Sequence, residues 1–475
     1  MFFSPSPRRR LQLQISERRL LIALGDMVAI VTAVLIALRV WTLVAGYAFS
    51  LDFIVAQSGW FIFLVVVWLL LASANDFYDL RVSANPLRAT RRLLVITVQT
   101  WVIYVGVFFI SPPLALPRLF IIYYGIASFL LILMWRLARP FLVGWVSQPR
   151  RTLILGANGS ARYLLEVIRD NAADEYEVLG IIGTSRDDVG KVIEGVPVLG
   201  TGGDLMNFVR RDRISELVVT ETHNLPGEAF QAVMDAYEHG ITIVPMPLLY
   251  EGITGRVPVE HVNNDWAVVL LPIKNTEGAF DLYPVFKRMV DVLVALVGLA
   301  LFALVLPFIA LIQRLDSPGS LFYAQDRVGR NGCIFRVYKL RSMIPDAEAA
   351  TGAVFSHAGD PRVTHVGRFF RKTRLDEVPQ LINVLRGDMS MIGPRPERPE
   401  HVVRLQQKIP FYRTRLIVRP GLTGWAQVRY DYGSNDEDAL VKLQYDLYYI
   451  RHQSLILDIN IALRTVGKVL SMSGV

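Results

Sequence analysis

The stretch KRMVDVLVALVGLALFALVLPFIALIQRLD, residues 287–316, decides how the chain is arranged. Its apolar run, Val292 to Ile312, is about as long as the ~20 residues that one membrane crossing needs. A true crossing would put the segments before and after it on opposite sides. Yet both flanks are basic, with Lys287 and Arg288 ahead and Arg314 and Arg327 behind, and basic flanks favour the cytoplasmic side. Pro307 lies inside the run, where it removes a helix hydrogen bond and crowds the preceding turn. The expectation is a re-entrant helix, broken at Pro307, that dips in and returns, with its freed backbone groups satisfied internally. An ordinary fifth span is the competing reading.

Upstream, four apolar stretches run from Leu20 to Ala48, Phe53 to Ala74, Leu93 to Ile110 and Leu119 to Val146. Four in succession argue against a cleaved signal peptide, which would be single and short. Trp41, Tyr47, Trp60, Tyr104, Tyr123 and Trp145 fall near the expected interfaces, as aromatic belts do. Arg8, Arg9, Arg10, Arg18 and Arg19 precede the first stretch. Arg81, Arg88, Arg91 and Arg92 sit in the second connection, and Arg150 and Arg151 follow the fourth. This bias sets both ends inside, so the chain should be multi-pass with everything after Val146 beginning in the cytoplasm. Asp26 and Arg39 lie within the first stretch. Intramembrane charges are functional candidates, although pairing between helices or snorkelling explains them equally.

Composition agrees with a membrane chain. Hydrophobic residues make up 52% and charged residues 19% of 475, too apolar for an ordinary soluble enzyme. The net charge of +8 suits anionic partners such as phospholipid, nucleotide or phosphate ester. Cys333 is the single cysteine, which excludes an intramolecular disulfide and a cysteine metal site.

Residues 149–272 change character. RTLILGANGSARYLLEVIRDN, residues 151–171, reads as a strand, a glycine turn at Gly156 and Gly159, and a helix. Further strands and helices alternate, which implies a Rossmann-like parallel α/β domain. The turn offers amides to a pyrophosphate at a helix N-terminus, so NAD or another nucleotide is a candidate ligand. The three-glycine fingerprint is incomplete and no ribose-binding acid is evident, which leaves a domain with no cofactor equally open. Tyr283-Pro-Val-Phe-Lys287 matches a Tyr-x-x-x-Lys pattern, but at the mouth of an apolar helix it reads as an interface aromatic with a basic flank.

The chemistry-bearing residues come after the apolar run. YAQDRVG and CIFRVYKLR, joined by Gly329 to Gly332, read as a hairpin bearing Lys339 and Arg341. In TRLDEVPQL, residues 373–381, Asp376 and Glu377 precede Pro379. Val378, Leu381, Ile382 and Leu385 fall at helix spacing, with Pro379 in the first turn and Gly387 as the stop. Asp376 can therefore be a plain helix cap. The alternative follows from its surroundings. Arg368, Arg371, Lys372, Arg374 and the helix N-terminus should depress a carboxyl pKa and keep it ionised, as a nucleophile toward phosphorus requires. Adjacent helical residues point about 100° apart, so one carboxylate can attack while the other holds Mg²⁺. Arg395, between Pro394 and Pro396, Lys339 and Arg341 are candidate phosphate ligands. Lys287 and Arg288 could attract anionic head groups.

KRMVDVLVALVG, DSPGSLFYAQDRVGRNGCIFRVYKLRSM, TRLDEVPQLINVLRGDMSMIGPRPE, RPGLTGWAQV and YDLYYI resemble the bacterial sugar transferases, the polyprenyl-phosphate phosphoglycosyl transferases of the monotopic class. The resemblance covers Tyr283 to Val475; the layout of spans plus a Rossmann-like domain is similar to the family's long members. It implies transfer of a sugar-1-phosphate from a UDP-sugar to undecaprenyl phosphate. Asp376 would be the nucleophile of an aspartyl phosphosugar intermediate, UMP would leave, and Glu377 would be the Mg²⁺-associated carboxylate. Arg374, next to the dyad, is a further candidate phosphate ligand. The implied home is a bacterial inner membrane, with the catalytic domain on the cytoplasmic face. Where family members often break the re-entrant helix at Ser-Pro, this chain has Leu306-Pro307.

The expected architecture is thus four transmembrane helices over 1–148, a Rossmann-like domain over 149–272, and a re-entrant helix with a small α/β catalytic domain over 280–475. Nothing points to nucleic acid, and a homo-oligomer stays open, as does the pathway served (capsule, exopolysaccharide or O-antigen). A membrane-bound nucleotide-sugar oxidoreductase or epimerase is the rival function, and a non-catalytic scaffold a second.

Overall fold

The structure is a computed structural model, and it describes residues 15–46, 48–75, 77–78, 86–110, 120–142, 149–220, 225, 227–261, 282–345, 347, 360–430 and 435–470. Arg8, Arg9, Arg10, Tyr47, Arg81, Trp145 and the expected linker after residue 272 lie outside them. The chain divides into two compact units, Met1–Val146 and Ser147–Val475.

The first unit is helical: α1 (Ile15–Ala45), α2 (Leu51–Ala56), α3 (Ser58–Ala74), α4 (Pro86–Ile110) and α5 (Phe120–Leu142). In α1, Ile22, Asp26, Ala29, Ile30, Ala33, Val34, Ala37 and Leu38 are buried, the stripe expected of a helix with one packed face. A Cβ on Gly25 would lie 2.2 Å from the Trp135 ring, and one on Gly125 2.0 Å from Trp101 Nε1. Small residues thus let these helices approach closely, as in membrane bundles. Asp26 pairs with Arg136 of α5 through Nη2–Oδ2 at 2.6 Å and Nε–Oδ1 at 3.2 Å. The Arg136 guanidinium also lies 4.0 Å from the Phe77 ring centroid. The intramembrane Asp26 is therefore a packing partner. The single span expected over Phe53–Ala74 is instead two helices meeting at Gln57 (φ −97°, ψ 7°). Polar Gln57 and Ser58, with Gly59, interrupt the apolar run there, leaving α3 with 17 residues. Across the described residues, four helices are long and apolar enough to cross a membrane: three in this unit and Tyr283–Asp316 in the other.

The second unit opens with a parallel α/β sheet. Its strands are β1 (Arg150–Leu155), β2 (Tyr176–Gly183), β3 (Val192–Ile193), β4 (Val196–Thr201), β5 (Glu216–Val219) and β6 (Thr242–Pro245). Their order is β3-β4-β2-β1-β5-β6, all parallel except the β3–β4 edge hairpin. Helices α6 (Gly159–Asn171), α7 (Leu205–Asp212) and α8 (Gly227–Glu238) connect the strands, and α9 (Met246–Thr254) follows β6. Apolar side chains of β1, β2 and β5 meet those of α7 and α8 in one core. The order reverses at β1, where Gly156 (φ +109°) turns the chain into α6. A Cβ there would fall 2.1 Å from Thr220 Oγ1, so the conformation and the packing both require glycine.

Helix α10 (Tyr283–Asp316) is the backbone of the C-terminal part. It continues through Pro307, so the expected helix break is not present. A proline inside a helix costs roughly 3 kcal/mol; packing on both sides offsets it, with Phe302, Leu306 and Ile309 against Leu340, Leu321 and Phe370. Both ends of α10 are tied to the same group of elements. At its start, Tyr283 Oη and Lys287 Nζ each donate to Asp458 Oδ2 at 2.9 Å, and Met391 N donates to Asp291 Oδ1 at 3.0 Å. At its end, Val366 N donates to Asp316 Oδ2 at 3.0 Å and Gln313 Nε2 to Leu321 O at 3.3 Å. Between these anchors, Met289, Leu293, Leu301, Leu304, Phe308 and Leu315 are all at least 60% exposed.

The remaining elements are the hairpin β7 (Phe322–Val328) and β8 (Ile334–Leu340), α11 (His365–Thr373), α12 (Leu381–Arg386), the parallel pair β9 (Ser390–Ile392) and β10 (Gly421–Thr423), α13 (Pro399–Lys408), α14 (Trp425–Arg429), α15 (Asp436–Arg451) and α16 (Leu455–Leu470). The α/β sheet part docks on them through α9. Glu251 Oε1 is 2.7 Å from Arg451 Nη1 and its Oε2 is 3.1 Å from His452 Nε2. Trp425 Nε1 donates to Gly255 O at 3.1 Å, and Val257 N to Gln444 O at 3.1 Å.

Candidate active site

Asp376 and Glu377 lie in a 3₁₀ turn, Leu375–Gln380, entered through Arg374 in the left-handed region (φ 59°). The helix proper, α12, starts only at Leu381 and is flanked by Gln380. Asp376 is therefore not its N-cap, and the plain capping explanation fails. Several contacts fix this turn and helix. Asn383, fully buried, donates from Nδ2 to Arg336 O at 2.7 Å and accepts from Tyr338 N at 3.3 Å, stapling α12 to β8. Leu381 presses onto α10 at Gly298, where a Cβ would lie 2.6 Å from Leu381 Cδ1. Gly387 (φ +92°) stops the helix.

The two carboxylates have different surroundings. Glu377 Oε1 accepts from Arg395 Nη2 at 2.6 Å and from Lys339 Nζ at 3.1 Å, and Arg374 Nη1 stands 3.9 Å from Oε2. Asp376 is equally buried, but its Oδ1 has no hydrogen-bond partner among the described residues. Burial pushes the Asp376 carboxyl up, the neighbouring Glu377 charge adds to this, and Lys339, Arg371 and Arg374 only partly oppose it. Burial also works against the Glu377 charge, but Arg395, Lys339 and Arg374 outweigh it and hold that group well below the usual range. The depression expected at Asp376 is thus found at Glu377, because both groups are buried but the cations converge on Glu377.

Lys339, Arg374 and Arg395 are brought together with the dyad; three other basic candidates have different partners. Arg341 is buried and donates to Ser317 O (2.6 Å), Ser317 Oγ (3.0 Å) and Ser320 O (2.7 Å), closing the loop after α10. Arg288 donates to Val384 O and Leu385 O at 2.6 and 2.9 Å, where the C-terminal carbonyls of α12 attract a cation. Lys287 is bound to Asp458. Tyr283 meets the same Asp458 carboxylate, so the Tyr-x-x-x-Lys match is a fastening of α10. At the sheet, Gly156 precedes Asn158, whose side chain caps α6 by accepting from Ala161 N at 3.0 Å, and Gly159 begins that helix.

Sequence reasoning left out the residues that hold Arg395. Pro394, Arg395, Pro396 and Glu397 form a loop whose four carbonyls accept from Gly421 N (2.8 Å), Arg415 Nη2 (3.0 Å), Arg327 Nη1 (3.3 Å) and Val328 N (2.9 Å). Two prolines in four residues signalled a rigid loop; nothing in the sequence named its distant donors.

A divalent cation can be tested against these groups. Among the described residues no cluster of three or more His, Cys, Asp or Glu exists. Two adjacent carboxylates nonetheless suit Mg²⁺, which commonly takes one or two carboxylates and completes its shell with substrate phosphates and water.

A family model described as "Bacterial sugar transferase" matches residues 282–472, and one described as "CoA-binding domain" matches residues 73–238. The chain is 41% identical over 234 residues to the UDP-N-acetylgalactosamine-undecaprenyl-phosphate N-acetylgalactosaminephosphotransferase of Aeromonas hydrophila, covering 49% of this chain and 53% of that one. It thus spans about half the length of that relative. It is 30% identical over 348 residues to the UDP-glucose:undecaprenyl-phosphate glucose-1-phosphate transferase of Xanthomonas campestris pv. campestris, covering 70% of each. A protein of the same description from Caulobacter vibrioides is 43% identical over 187 residues, 39% of this chain and 70% of that one.

Proposed function

The chain belongs to the bacterial sugar transferase family, and we propose that it moves a sugar-1-phosphate from a UDP-sugar to undecaprenyl phosphate, with Asp376 as the nucleophile. The observation that carries this reading is the contrast within the dyad. A buried carboxylate oxygen without a partner adjoins a carboxylate pinned by cations. An unpartnered buried acceptor is costly, and a site that tolerates one keeps that atom free for a substrate.

In the first step, Asp376 Oδ1 attacks the sugar-bearing phosphorus of the donor. A P–O(Asp) bond forms, the bond to the bridging oxygen breaks, and UMP leaves with the electron pair. In the second, a phosphate oxygen of undecaprenyl phosphate attacks the same phosphorus. The P–O(Asp) bond breaks and the Asp376 carboxylate returns. Arg395, Lys339 and Arg374 keep Glu377 ionised and supply positive charge where phosphoryl oxygens gather. Mg²⁺, held by Glu377 and donor phosphates, would neutralise charge on the transferring group.

The anchoring of both ends of α10 supports a membrane-surface site. A helix whose two ends are both bonded to one domain cannot place that domain on two sides of a bilayer. Its exposed apolar side chains suit lipid on the remaining faces. We read it as an unbroken helix embedded in the membrane surface, with the catalytic part on the cytoplasmic side of a bacterial inner membrane. There a water-borne UDP-sugar and a lipid phosphate can meet one carboxylate in turn. The parallel sheet is read as Rossmann-like, with a nucleotide-type ligand at Gly156–Gly159. This is supported by the strand-order reversal at β1, where such sheets place ligands, and by the CoA-binding family model.

The test is UMP release from a panel of UDP-sugars by the full chain in detergent with Mg²⁺ and undecaprenyl phosphate. Release with one sugar, abolished in Asp376→Asn, is expected. Release that persists in Asp376→Asn would remove the nucleophile from the scheme.

A further inference from the structure

Arg415 is almost fully buried, with 6% side-chain exposure, and faces Asp446 of α15, 2% exposed, at 2.7 Å. Its Nη1 donates to Tyr412 Oη at 2.8 Å, while Nη2 donates to the Arg395 carbonyl at 3.0 Å. Two charges inside a protein are expensive to desolvate, and a buried pair of this kind often gives no more stability than apolar residues of the same volume. Stability alone is thus a weak reason for it. Its geometry supplies a better one. The same nitrogen that meets Asp446 grips the carbonyl of the residue whose own guanidinium reaches Glu377 Oε1 at 2.6 Å. Arg395 is therefore held at both ends of its length. The backbone is fixed by a buried ion pair and the side chain by the dyad.

We propose that Arg415, oriented by Asp446 and Tyr412, is a positioning residue for Arg395 and, through it, for the Glu377 carboxylate during phosphoryl transfer. The proposal rests on the reading of the dyad given above. Arg415 touches no reacting atom. It sets where the Arg395 guanidinium stands, and a misplacement of about 1 Å in such a group can cost on the order of 100-fold in rate.

The test is a double-mutant cycle on the full chain, with UMP release normalised to folded protein. Arg415→Lys keeps a charge for Asp446 but loses the fork. Turnover is expected to fall 10- to 100-fold in the otherwise native chain, yet less than threefold in an Arg395→Lys background, because the second change has nothing left to misplace. The loss in Arg415→Lys should fall on kcat, with KM for the UDP-sugar within about twofold of native, as expected when a group acting in the transition state is misplaced. Tyr412→Phe, a milder variant that keeps the buried pair, should give a smaller drop with the same background dependence, and it carries the test if Arg415→Lys does not fold. An equal drop in both backgrounds would make Arg415 a structural residue only and overturn the proposal. Full turnover in Arg395→Lys alone would instead overturn the reading of the dyad beneath it.

Discussion

Arg395 Nη2 stands 2.6 Å from Glu377 Oε1, closer than either of the other two cations at that carboxylate. This contact joins the Pro-Arg-Pro loop to the dyad turn. Removing a preorganised donor of this kind commonly costs about 100-fold or more in turnover. Arg395→Ala is expected to lose roughly that much in UMP release, with Arg395→Lys intermediate. Native turnover in Arg395→Ala would separate the loop from the chemistry.

The two carboxylates should respond to pH in opposite ways. Asp376, raised by burial, holds its proton more tightly when folded. Its contribution to stability is complete below the unfolded value of about 3.9 and is lost as pH rises through the folded value. Glu377, held low by Arg395, Lys339 and Arg374 against its burial, stabilises above the unfolded value of about 4.3 and loses that contribution as pH falls. Asp376→Asn should therefore unfold a few degrees higher than the native chain at neutral pH, with the gap closing under acid conditions. Thermal melts across pH decide this. A variant less stable than native at neutral pH would contradict the assignment.

The anchoring of both ends of α10 is testable in sealed vesicles. Leu282 and Leu315 are 68% and 80% exposed. Placed singly as Leu282→Cys and Leu315→Cys in a Cys333→Ser chain, both should react with an impermeant thiol reagent added to the same side. Labelling from opposite sides would make α10 an ordinary span.

Within the membrane unit, Asp26 and Arg136 are 0% and 5% exposed at the side chain. Breaking a buried pair leaves a charge unpaired and costs roughly 3–5 kcal/mol, while replacing both partners by apolar residues is often close to neutral. Asp26→Leu and Arg136→Leu alone should each lower the melting temperature in detergent, and the double variant should recover most of the loss. No recovery would mean the pair does more than balance charge.

Glu251 offers a parallel case in the second unit. It carries Arg451 Nη1 at 2.7 Å and His452 Nε2 at 3.1 Å, and Glu251→Gln would leave buried Arg451 without its carboxylate. A loss of about 3–5 kcal/mol is expected, read as an earlier melt. An unchanged melt would show that the docking of α9 on α15 does not depend on this pair.

Much of this arrangement was legible in the sequence, and the reasons it stopped short are physical. Apolar run lengths located three of the four N-terminal helices expected to be long enough to cross, because a bilayer sets a minimum length; the polar interruption at Gln57–Gly59 splits the other. The alternation of strands and helices gave the parallel sheet. Pro307 misled, since proline disfavours a helix locally while packing by Phe302 and Ile309 overrides it. Clustering TRLDEVPQL with its arginines singles out the two carboxylates, yet the cations gather on Glu377 and not on Asp376. Sequence proximity does not tell which oxygen a guanidinium reaches, and Arg341 and Arg288 turned to backbone carbonyls instead. Arg415 was invisible for the same reason, its partner Asp446 being distant in the chain.

The central claim is that Asp376 forms a bond to phosphorus. The most direct measurement is intact-protein and peptide mass spectrometry after a brief incubation with the accepted UDP-sugar and Mg²⁺, without undecaprenyl phosphate. A mass increase of one phosphosugar is expected on the peptide containing Asp376, absent in Asp376→Asn and discharged on adding undecaprenyl phosphate. Lipid-dependent product formation with no adduct under any quench, or an adduct that persists in Asp376→Asn, would contradict it.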